Sequence, residues 1–127
     1  MKTLFTVILL LLSNFAFANE WPEVLSLRNV IACTTQDQAE EILDTYQSDG
    51  VESAGRIIKR LLNEQNERGQ RKCGLATGMV VFVAEKNSYD ISSKEGMMNY
   101  VILKVFEPEN KNFWYVLLGK KTSSESF

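Results

Sequence analysis

The sequence predicts an α+β domain in the order β-α-α-β-β-β, a two-helix hairpin packed on an antiparallel sheet of about four strands. Two observations carry that expectation. Between Cys33 and Cys73, the only two cysteines, apolar residues recur at helical spacing in two segments, Gln36–Gln47 and Val51–Glu67. After Cys73 the pattern changes to runs of β-branched and aromatic residues separated by polar stretches, the signature of strands.

Ahead of the domain, Met1-Lys2 supplies a short positive start and Leu4 to Leu12 an apolar core broken only by Thr6. Ala16-Phe17-Ala18 then completes a cleavage site. Residues 1–18 therefore read as a secretory signal peptide, whose apolar core is too short to span a bilayer. Its removal leaves the 109 residues from Asn19 to Phe127 as a single exported domain, periplasmic or secreted, with no stable membrane anchor. The net charge is −2 over the whole chain and one unit more negative once Lys2 is gone. That balance, with no basic stripe, argues against a nucleic-acid partner.

The domain opens with Trp21-Pro22, where Trp21 is expected to lie as a lid on the domain edge. Asn29 to Cys33, short and apolar, reads as the first strand. Thr35 and Gln38 have the spacing of a capping box at the start of the first helix. Ala39, Ile42, Leu43 and Tyr46 line its apolar face, and Gly50 suits its end. Ser48 or Asp49 is placed to cap the second helix. Its stripe runs through Val51, Ala54, Ile57, Ile58, Leu61 and Leu62.

Leu75 to Ala84 reads as a strand that is apolar on both faces from Met79 onward. Glu85 to Asn99 has the polar character of a loop, with Tyr89-Asp90-Ile91 as a brief edge strand. Asn99 to Glu107 is the clearest strand, Pro108 to Asn112 a turn, and Phe113 to Leu118 the returning hairpin partner. From Gly119 the chain is a polar tail.

Two cysteines in an exported chain point to a disulfide, here closing a loop around both helices. Val30-Ile31-Ala32-Cys33 has the look of a lipoprotein processing box. Such a box follows the signal core directly, however, whereas Glu20, Glu23 and Arg28 intervene here, and a lipid on Cys33 would leave Cys73 unpartnered. The terminal Phe127 matches the last residue of outer-membrane barrels, which four or five strands are too few to form.

Cys33-Thr34-Thr35-Gln36-Asp37-Gln38-Ala39-Glu40, followed by Cys73-Gly74 and the apolar strand through Phe82, resembles a loose group of small exported bacterial proteins. They share a signal peptide, a Cys-x-Thr helix start and a later Cys-Gly. The resemblance covers about residues 33–84 and implies export and a disulfide. It implies nothing about a substrate.

Chemistry is sparse. There is no histidine, hence neither the commonest general base nor the commonest metal ligand, and no phosphate loop, G-x-S-x-G or H-E-x-x-H. Glu40, Glu41 and Asp44 read as a solvated helix face. No cofactor or metal is expected, and the chain reads as a non-enzymatic binding module. Its strands carry the one pointed signal: Tyr100 to Phe106 holds a single charge, Lys104, and Phe113 to Leu118 holds none. Helices covering one sheet face leave the other apolar and in need of a cover. Either the helices split between the faces, or Trp21 and the Glu85–Asn99 loop fold over. Otherwise the face pairs with a second copy as a homodimer, or with another envelope or secreted protein, through Trp114, Tyr115, Val116 and Tyr100. The alternative is a carrier of a small apolar ligand between sheet and helices, gated by that loop. A small exported enzyme ranks below both.

Overall fold

The computed structural model describes residues 21–93 and 96–121. The predicted signal peptide and Phe127 lie outside that range. The order is β1 (Val24–Cys33), α1 (Gln36–Asp49), α2 (Val51–Asn63), β2 (Cys73–Ser93), β3 (Gly96–Glu107) and β4 (Asn112–Lys121). All strand pairs are antiparallel, and the helix pair packs on the sheet, the expected α+β fold.

The helices form for the reasons the sequence offers. Gln38 N–H donates to Thr35 Oγ1 and Thr35 N–H to Gln38 Oε1, completing the capping box. Gly50, at φ 99°, ends α1, its N–H donating to the Tyr46 carbonyl. Neither Ser48 nor Asp49 caps α2. Asp49 still belongs to α1, Ser48 Oγ donates back to the Asp44 carbonyl, and Gly50 holds the cap position without a side chain. α2 also stops at Asn63 rather than Glu67. Asn66 Oδ1 accepts from the backbone N–H groups of Arg68 and Gln70, a local turn that outcompetes the helix.

The described residues between Glu85 and Asn99 are ladder, not loop. β2 continues to Ser93 and β3 begins at Gly96, paired continuously from Ser93↔Gly96 to Asp90↔Asn99 and beyond. The polar residues between Glu85 and Ser88 sit on an exposed bend, and register shifts at Phe82/Ala84 and Glu85/Asn87 carry β2 around it. A third shift lies in β1 between Leu27 and Val30. Asn29 takes φ 51° there and donates its N–H to Thr77 Oγ1 at 3.0 Å.

These bends answer what covers the second sheet face. The sheet curls until β1 meets β4, at Ala32↔Val116 and Cys33↔Tyr115, closing a four-stranded barrel. The second face becomes the barrel interior, filled by Leu25, Leu27, Val80, Val101, Leu103 and Val105 together with Ala32 and Val116. Ala32 and the four valines among them keep the filling small enough for so narrow a barrel. Trp21 packs against this cluster as a lid, its Nε1–H donating to Glu85 Oε1 at 2.8 Å. Both helices lie outside on the same face, where Ile42, Leu43 and Leu61 meet Tyr89, Ile91 and Ile102. Cys33 and Cys73, directly opposed in the β1–β2 ladder, are disulfide-bonded within this second core.

Candidate functional site

The four residues singled out from the sequence do not share a surface. Side chains alternate along a strand, so Trp114 and Val116 face the barrel interior while Tyr115 faces the helix side. Val116 is fully buried. Tyr100 lies on the helix side, its ring 5.5 Å from that of Tyr46. The ring also covers Gly119 across the β3–β4 ladder, where a Cβ would meet the Tyr100 ring at 2.6 Å. Of the four, Trp114 and Val116 border an opening into the interior, Trp114 at its rim and Val116 on its floor.

That opening follows from the unequal lengths of the ladders. β2 pairs with β1 from Cys73 to Val81 but with β3 only from Val81 onward. Over Cys73–Val80 the β3-facing edge of β2 has no strand beside it among the described residues, since β3 ends at Glu107 and turns away. A cavity of about 340 Å³ lies between this edge and the β3–β4 turn, floored by Leu27, Ala32, Val105 and Val116. Trp114 stands on its rim, with Nε1–H donating to Glu107 Oε1 at 3.0 Å. Asn110 Nδ2–H donates to Glu107 Oε2, also at 3.0 Å, so the carboxylate ties the turn to the indole.

Leu75 and Met79 stand out beside the edge, 64 % and 62 % exposed, and both line the cavity. Sequence reasoning missed them, although Gly74 to Val80 contains no charge and no proline, the residues that normally guard an edge.

Among the described residues no group of three carboxylate or cysteine side chains is placed to hold a metal. The Tyr89 phenol, beneath α1, has a raised pKa, first from burial and then from Asp44, which accepts its hydrogen bond, and from Glu40. It therefore stays neutral and serves packing. A folded-state pKa above the unfolded value of about 10 favours folding while the phenol is protonated and loses that contribution as pH climbs past 10. Stability to urea is thus expected to be flat in this respect up to about pH 10 and then to fall. Tyr89→Phe should lose the steepest part of that fall, whereas a parallel decline in both proteins would remove Tyr89 as the cause. No family model, curated protein or solved structure matches the chain.

Proposed function

We propose that this chain is an exported, non-enzymatic binding module that works by strand pairing at the free edge of β2, first of all with the same edge of a second copy. The unpaired edge over Cys73–Val80, flanked by exposed Leu75 and Met79, carries the reading. A two-fold axis through Thr77 sets Leu75 of each copy against Met79 of the other, and the paired segment from Gly74 to Val80 itself carries no charge. The Cys33–Cys73 disulfide suits an oxidising compartment, and no described helix is long and apolar enough to cross a membrane.

Light scattering on the oxidised chain from Asn19 to Phe127 tests this. The mass is expected to rise toward that of a dimer between roughly 10 µM and 1 mM, as befits a small interface. Leu75→Lys with Met79→Lys should hold the protein monomeric with its circular dichroism unchanged. A wild type that stays monomeric throughout, or a double variant that still dimerises, removes edge pairing.

The cavity favours a second reading, a small apolar ligand. The space between sheet and helices is filled by Ile42, Leu43, Leu61 and Ile102, so the barrel mouth beside Trp114 is the place for such a guest. Native mass spectrometry of the purified monomer would then show a retained mass that Ala76→Trp, at the cavity wall, expels.

A further inference from the structure

We infer that a second cleft, between the start of α1, the Asn66–Gln70 turn and the β3–β4 hairpin, binds a multiply charged oxyanion of the phosphate-ester class. It shares only Trp114 with the barrel mouth and encloses about 340 Å³. Three cations from three elements line it: Arg68 from the turn, Lys104 from β3 and Lys111 from the hairpin turn. Among the described residues no carboxylate does. In a chain of net charge −2, three cations converging without a counter-ion run against the overall balance. Arg60 and Lys72 are taken up by Glu41 and Glu64, while Arg68, Lys104 and Lys111 form no salt bridge among the described residues.

The neutral lining is biased the same way. Gln38 Oε1 accepts from Thr34 Oγ1–H and from the Thr35 N–H, and Gln70 Oε1 accepts from Asn66 Nδ2–H. With both amide oxygens engaged, the NH₂ groups of Gln38 and Gln70 are left as donors without a partner among the described residues. The cleft thus offers guanidinium, ammonium and amide hydrogens, the set that recognises a dianion with three acceptor oxygens. Lys104 Nζ lies 4.7 Å from the Phe113 ring centroid, which fixes its ammonium and adds an aromatic wall for an ester's organic part.

Lys111 supplies an independent sign. It sits at φ 57°, a conformation that disfavours a side chain and that glycine adopts freely. The chain keeps a charged residue where the turn alone would favour glycine, and the charge points to a use.

The test is a heteronuclear NMR titration of the oxidised protein at low ionic strength with inorganic phosphate and phenyl phosphate. Saturable shifts are expected at the cleft with millimolar or tighter affinity, phenyl phosphate binding more tightly, and both weakening as salt is added. Arg68→Gln should lower affinity about tenfold, the loss of one charge-assisted contact. Lys111→Gly should raise Tm by a few degrees while lowering affinity similarly. An absence of saturable shifts at tens of millimolar overturns the inference. So do Lys111→Gly and Arg68→Gln proteins that both bind as the wild type does, whatever the gain in stability of the first. Light scattering and this titration report on separate surfaces, so either proposal can fail alone.

Discussion

Replacing both Cys33 and Cys73 by alanine is expected to lower stability by about 4 kcal/mol, the entropy of leaving open a loop of 40 residues. The loop holds both helices, and the two residues are direct partners in the β1–β2 ladder, their Cα atoms 4.0 Å apart. With the bond in place, the unfolded chain must still keep the start of α1 near the end of the α2 connection. Without it, every contact between the helix hairpin and the sheet must offset that lost constraint. Both cysteines are fully buried among Ile42, Leu43 and Leu61, so the alanines also lose some packing. A domain of this size has roughly 5–15 kcal/mol in total, and the midpoint should fall by roughly 15 °C. Calorimetry of wild type against the double variant measures it. The variant is preferable to a reductant, which reaches buried sulfurs only after the barrel opens. A drop of only a few degrees would mean that the ladder and helix contacts already restrain the unfolded chain. A large one fits the proposed export, since the fold would then be marginal where thiols stay reduced.

What could be read from the chain was local. Thr35 and Gln38 announce their capping box because it needs only residues three apart, and the stripes of α1 and α2 follow from one helix at a time. The pairing of Cys33 with Cys73 needed only their number and address. The curl of the sheet was not legible in this way. It depends on register shifts at Leu27/Val30, Phe82/Ala84 and Glu85/Asn87, which appear only when two strands are aligned. Polar residues at the bend of β2 and along its hairpin with β3 made paired strand look like a loop between Glu85 and Asn99. The same gap explains the interaction residues. An uncharged Phe113–Leu118 run signals burial on two faces, but whether a helix, a partner or the sheet itself buries the second face is a tertiary fact. Leu75 and Met79 became visible only once β3 was seen to stop short of them.

Ile102→Ala and Leu103→Ala are each expected to destabilise the protein by about 2–5 kcal/mol, and their near equality is the informative outcome. The two are adjacent in β3 and point to opposite faces. Ile102 belongs to the core beneath the helices and Leu103 to the barrel interior, and both are fully buried. An open sheet with helices on one side would leave Leu103 half wet, and its truncation would then cost well under 2 kcal/mol, as Leu75→Ala on the exposed side of β2 should. Urea midpoints for the three variants, compared at constant m, decide between a closed barrel and an open face. If Leu103→Ala falls with Leu75→Ala, the sheet is open and a bare apolar face returns as the surface for association. If it falls with Ile102→Ala, both faces are spent on folding. A charge at Val116 would then unfold the domain rather than separate two copies, and association is left to the edge of β2, where backbone groups rather than a buried face remain to be paired.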